Sequence, residues 1–131
     1  MTIDAVRRIC RALPGVAEDL KWGHDLCFCV SGKMFAAVDL EPPHSLSFKC
    51  TREEFAELVE RPGVVPAPYA ARNMWVQEQL LGESLERKEL ERLLRTSYEL
   101  VVARLPRSRR PAPAVRRDAR KLASPRKRAR R

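Results

Sequence analysis

The sequence predicts an α+β fold: a two-layer sandwich of an antiparallel sheet with flanking helices. Two observations carry that expectation. Apolar residues recur at helical spacing near both ends of residues 1–105, and alternate one by one in short runs between them. The resulting order, α-β-β-β-α-β-α, suits helices flanking antiparallel strands. The 131 residues are one domain's worth, enough to bury one core without staples.

Taken in order, Ile3, Val6, Cys10 and Leu13 mark a helix over 3–13, capped by Thr2 and stopped by Pro14-Gly15. Leu26, Phe28 and Val30 alternate with Asp25, Cys27 and Cys29 as a strand. Ser31-Gly32 is a hairpin turn, and Lys33 to Leu40 is the partner strand, with Met34, Ala36, Val38 and Leu40 on one face. Glu41-Pro42-Pro43 breaks the run. His44 to Cys50 alternates again, placing Leu46, Phe48 and Cys50 inside. Thr51 and Glu54 form a capping box for a helix that buries Phe55, Leu58 and Val59 and ends at Arg61-Pro62-Gly63. A Pro-rich loop leads to a strand over 74–80 that contains Trp75. The longest helix covers 85–105, its apolar stripe formed by Leu90, Leu94, Tyr98, Val101 and Leu105.

Pro106 opens a stretch of Arg, Pro, Ala, Lys and Ser, with almost no bulky apolar residues. Such a segment buries too little to offset the entropy of ordering, so residues 106–131 are expected to be a disordered arm. The charge divides along the same line. The whole chain has 26 Lys and Arg against 17 Asp and Glu, and 12 of those bases with one acid fall in 106–131. Residues 1–105 therefore hold 14 bases and 16 acids. The arm carries about +11 and the body about −2, so attraction for polyanions is expected to reside in the arm.

No apolar stretch approaches the roughly 18 residues of a membrane span, so no membrane partner is expected. MTIDAVRRIC lacks the apolar run of a secretory signal, which makes a reducing cytoplasm the expected location, nucleoid-associated if DNA is the ligand. Disulfides are not expected there.

One group of short motifs is ordered as in a known family. A helix is followed by Leu13-Pro14-Gly15, Trp22-Gly23 and Gly32-Lys33-Met34-Phe35. Leu46 to Cys50 then leads into the acidic helix, followed by Pro62-Gly63-Val64, Pro66-Ala67, Tyr69 and Trp75, and Ser97-Tyr98-Glu99-Leu100-Val101 closes the series. In order and spacing the chain resembles the MmcQ/YjbR family over roughly residues 3–105. The resemblance implies a CyaY-like fold, similar in architecture to frataxin, and a DNA-binding role. Family members often carry an Asn-Lys pair and a His before the Trp. Here the stretch is Ala71-Arg72-Asn73-Met74: Arg72 keeps a positive charge, and the His is absent.

The arm is the strongest functional signal. Arg107, Arg109, Arg110, Arg116, Arg117, Arg126, Lys127 and Arg128 are candidate phosphate contacts. Ser124-Pro125-Arg126-Lys127 resembles the Ser-Pro-basic-basic motifs of histone tails. The bland alternative is a solubilising extension. On the body, Lys33, Lys49 and Arg72 are candidates for a smaller basic patch, with Trp75 a candidate for stacking on a base. Against this, lysines on strand faces are often merely solvated, and large aromatics are more often buried, which makes core packing the expected role of Trp75.

Cys27 and Cys29 share a strand face, and Cys50, His24 and His44 are near in sequence. Their C-x-C spacing is not that of a zinc knuckle, and reduced Cys usually packs as a small hydrophobe. No metal or cofactor is expected. Catalysis is not expected either: the two histidines have no motif partner, and there is no Gly-rich phosphate cradle. The expectation is a monomeric, non-catalytic accessory protein that binds DNA, with RNA as a competing ligand. The alternative is an adaptor for a protein partner with an incidental arm.

Overall fold

The computed structural model describes residues 1–68 and 70–112. Tyr69 and the arm residues Arg116, Arg117, Arg126, Lys127 and Arg128 lie outside the described residues. The elements run α1 (Ile3–Arg11), β1 (Val16–Lys21), β2 (Asp25–Val30), β3 (Lys33–Asp39), β4 (Leu46–Lys49), α2 (Arg52–Leu58), β5 (Val64–Pro66), β6 (Trp75–Glu78) and α3 (Arg87–Ala103). Short 3-10 turns occupy Ala71–Asn73 and Arg107–Arg109.

The six strands form one fully antiparallel open sheet in the order β1-β2-β3-β4-β6-β5. Side chains of one sheet face and of all three helices share a single core, built on Phe28, Phe35, Phe48, Leu46, Leu90 and Leu94. Burying each of these side chains contributes about 1.5–3 kcal/mol. This is the expected α+β architecture, with four strands extended to six.

Local chemistry explains the elements. Thr2 accepts the Ala5 N–H at 3.1 Å to start α1. Thr51 and Glu54 form the reciprocal box that opens α2. Glu86 and Glu89 form a second box at α3. Ser31 and Gly32 both take positive φ, 49° and 79°, as a tight two-residue hairpin requires. Arg7 grips Glu18 with two hydrogen bonds of 2.8 and 3.0 Å, fastening α1 to β1. Arg61 grips Glu89 likewise, at 2.7 and 2.8 Å, joining the end of α2 to the first turn of α3.

The structure corrects the expected faces of β3. The register slips between Phe28 and Cys29, so Cys29 faces Met34 while Phe28 faces Ala36, leaving Phe35 as the extra residue. Phe35 and Ala36 are consequently both buried, and the Phe35 ring meets Tyr98 edge-on, 5.5 Å between centroids. Met34 is half-buried beside Cys29, and Leu40 is exposed.

The bulge has a second effect. β3 and β4 pair at Val38–Leu46, Ala37–Ser47 and Ala36–Phe48, and then part. Into the gap comes Ser97 of α3, fully buried. Its hydroxyl donates to the Phe35 carbonyl at 2.6 Å and accepts the Lys49 N–H at 2.9 Å. One side chain thus supplies the hydrogen bonds that the sheet no longer makes for itself. Its neighbour Tyr98 donates its hydroxyl to the Pro14 carbonyl, which ties the end of α1 to α3.

The fold runs past the expected boundary at 105. Ser31 hydrogen-bonds the Arg109 carbonyl, and an Arg109 guanidinium N–H reaches back to the Ser31 carbonyl at 3.3 Å. Pro111 lies so close to Gly15 that a Cβ there would stand 3.0 Å from the Pro111 Cβ. Gly15 also has φ +75°, so a glycine suits this position for two reasons.

Candidate nucleic-acid interface

Where β3 and β4 part, a cleft of about 430 Å³ opens. Lys33 and Met34 come from the start of β3, Lys49 from the end of β4, Asn73 and Trp75 from the approach to β6, and Val101, Arg104 and Leu105 from the end of α3. Three residues singled out in the sequence, Lys33, Lys49 and Trp75, are therefore brought together. Lys49 and Trp75 are direct cross-strand partners. Arg72 does not line the cleft. It sits exposed in the adjoining 3-10 turn, one residue from Asn73.

The cleft is cationic without compensation. Among the described residues, Lys33, Lys49 and Arg104 make no ion pair with an acid. Among the described residues, the Lys49 ammonium donates to the Asn73 carbonyl alone, at 2.9 Å. Burial, and then the nearby Arg104 charge, hold its pKa below the ordinary lysine value. Trp75 is 9% exposed, so it is chiefly a core residue with one edge on the cleft wall.

The sequence reading missed Arg104 and Asn73. Arg104 could have been found: it follows Val101 by three residues, which carries it to the same side of the chain as that end of the apolar stripe. Asn73 contributes through a left-handed turn at Met74, φ 64°, which no local pattern announces.

The first arm residues divide. Arg110 donates to the Leu105 and Ala103 carbonyls at 3.0 and 3.1 Å, capping the end of α3. Arg109 clasps Ser31, as described. Arg107 is exposed. Arg109 is thus held at the β2–β3 turn, and Pro111 packs against Gly15 just ahead of β1.

The cysteines and histidines do not gather. Cys10 is in the core. Cys27 and Cys29 lie on the sheet face away from the helices. Cys50 stands at the end of β4, its Sγ 3.4 Å from the Met74 carbonyl. Burial pushes the Cys10 and Cys50 thiols up to about 12 and Cys27 to about 11, which disfavours the thiolate that a metal or a nucleophile needs.

His24 and His44 are at the opposite end of the sheet. There His24 Nδ1 lies 3.1 Å from Asp39 Oδ1, and His44 Nδ1 lies 2.9 Å from the Asp39 carbonyl. Ligand atoms of His24, Asp39 and Glu41 fall within 4.8 Å of one another. Asp39 Oδ1 already serves His24 and accepts the Glu41 N–H at 2.9 Å, so the cluster is satisfied as a hydrogen-bonded turn.

Among the described residues, no helix is long and apolar enough to cross a membrane. No curated protein matches the chain. Two solved structures share its fold. A Deinococcus radiodurans protein, DR2400, with a domain described as DUF419, is 28% identical, with TM-score 0.71, over 83% of this chain and 85% of that one. A Pseudomonas syringae protein is 20% identical, with TM-score 0.65, over 76% of this chain and 98% of that one. The YjbR family model matches residues 11–100, which take in the sheet, α2 and most of α3. On that match, and in line with the motif order from Leu13 to Val101, the chain belongs to the YjbR family.

Proposed function

We propose that this protein is a non-catalytic accessory protein that binds nucleic acid, with DNA the expected ligand. The basic arm supplies most of the affinity, and the cleft between β3 and β4 supplies a fixed point of contact. The observation that carries this reading is the Ser31–Arg109 clasp beside Lys33. It fixes Arg109 to the β2–β3 turn two residues from Lys33, and nine further Lys and Arg follow Ala112 in sequence, though residues 1–105 are slightly acidic. Phosphate neutralisation by such cations is insensitive to sequence and steeply dependent on salt.

The test is DNA binding by the full chain and by a chain ending at 112, each titrated across salt. The cut belongs after Ala112 because Arg109, Arg110 and Pro111 pack on the body. It removes nine of the 26 Lys and Arg. The full chain should lose affinity as salt rises, with a slope of about 0.9 per phosphate contacted. The shortened chain should retain weak binding that K33M abolishes. Salt-independent binding, or none, would sink the reading, and preference for an RNA of the same length would reassign the ligand.

A protein-interaction adaptor is the second reading, favoured by the far end of the sheet. Trp22 is 71% exposed and Leu20 55% exposed, beside Asp25 and Asp39. An exposed Trp of this kind is a frequent anchor in protein interfaces.

A further inference from the structure

We propose that the cleft between the parted ends of β3 and β4 is a binding site for a single phosphate-bearing group of nucleotide size. This deepens the nucleic-acid reading and rests on it. The lining has two chemistries, and each meets one part of such a ligand. Lys33, Lys49 and Arg104 converge without an acid among the described residues to neutralise them. An ammonium carries three donors, and Lys49 spends one on Asn73, leaving two to be met by an anion. Holding Lys49 near Arg104 costs electrostatic energy, and a phosphate relieves that cost.

The rest of the wall is apolar. Met34, the edge of Trp75 and Val101 offer a base or sugar what a bare phosphate would not need. A volume of about 430 Å³ lies within the range of small-molecule sites and admits one such unit. The cleft is also built rather than incidental. It exists because the Phe35 bulge parts the strands, and Ser97 holds them apart while satisfying both. The group bound is either a free mononucleotide or one nucleotide of a strand.

The experiment uses the full chain in a W22F background, where Trp75 is the sole remaining tryptophan of two. Its fluorescence is followed on addition of thymidine 5′-monophosphate, thymidine or oligo-dT. The monophosphate should change the signal saturably, and thymidine at the same concentration should not. K49M/R104M should weaken the response about tenfold or more, with at most a small fall in thermal midpoint from the lost Lys49 bond to the Asn73 carbonyl, since neither side chain has an acid partner to lose. If that double variant fails to fold, K33M on the exposed rim replaces it and should weaken binding about threefold or more.

A response to oligo-dT alone, lost in the same variants, assigns the nucleotide to a strand. A response to the monophosphate that oligo-dT displaces assigns both sources. A Trp75 signal that no probe moves, or that the variants leave intact, overturns the proposal. Because DNA affinity is read separately by salt titration, an arm that binds DNA while Trp75 stays silent sinks this inference and leaves the broader reading standing.

Discussion

The two ends of the sheet solve the same problem, backbone groups in want of partners, with different side chains and in surroundings of opposite charge. At the Trp22 end a carboxylate does it. Glu78 is fully buried on β6, and its oxygens accept the N–H groups of Gly82, Ser84 and Leu85 at 2.9, 3.0 and 2.7 Å, organising the turn into α3. Asp25, Asp39 and Glu41 surround that end with further acid. At the other end a neutral hydroxyl, Ser97, bridges the parted strands, and cations gather around the opening. At one end the acid is spent on backbone donors. At the other the cations have no acid partner among the described residues. The difference separates a matched acid from unmatched bases in one small sheet.

The largest effect should come from E78L. It leaves the buried Leu85 N–H and the less buried Gly82 and Ser84 N–H groups without their acceptor, so a loss of about 2–4 kcal/mol in denaturant unfolding is expected. A loss below 1 kcal/mol would mean that the turn finds other partners and that the Trp22 end is not built on this carboxylate.

S97A is next, at about 2–3 kcal/mol, because Phe35 and Lys49 each lose a buried partner. Hydrogen exchange should localise the damage: the Lys49 amide should exchange much faster, and the amides of β1 and β2 hardly change. Uniform acceleration would deny that the strands are parted in a specific way.

D39N has the smallest effect and sharpens the charge difference. The hydrogen bond to Asp39, chiefly, holds the His24 pKa above its ordinary 6.5. A pKa raised on folding contributes stability that is complete below the unfolded value and is lost as pH rises through the folded one. In D39N an NMR titration should place His24 nearer 6.5. No movement would show that the acidic end does not act on its histidine.

The core was legible in the sequence, and the margins were not. The Thr51–Glu54 capping box, the Ser31-Gly32 turn and the burial of Leu46, Phe48 and Cys50 follow from local pattern, and the structure has them. The two strands with no sequence signal, β1 and β5, are the two edges of the sheet. β1 reads VAEDLK and β5 reads VVP: charge and proline mark an edge that must not pair further, and those same residues suppress the strand pattern. The candidate site was half legible. Lys33 and Lys49 were visible by alternation, and their meeting was not, since it depends on a one-residue slip in β3 and on a helix 48 residues beyond Lys49 in sequence.

That dependence on Ser97 governs how the chain can be made. Residues emerge from synthesis N-terminus first, and β1 to β6 are all complete before α3 appears. Until Ser97 and Tyr98 arrive, the β3–β4 gap is unsealed and the Pro14 carbonyl lacks its donor. A nascent chain halted at residue 90 is therefore not a smaller version of the domain but a sheet that lacks the cover of α3, and commitment to the native state waits for the last helix.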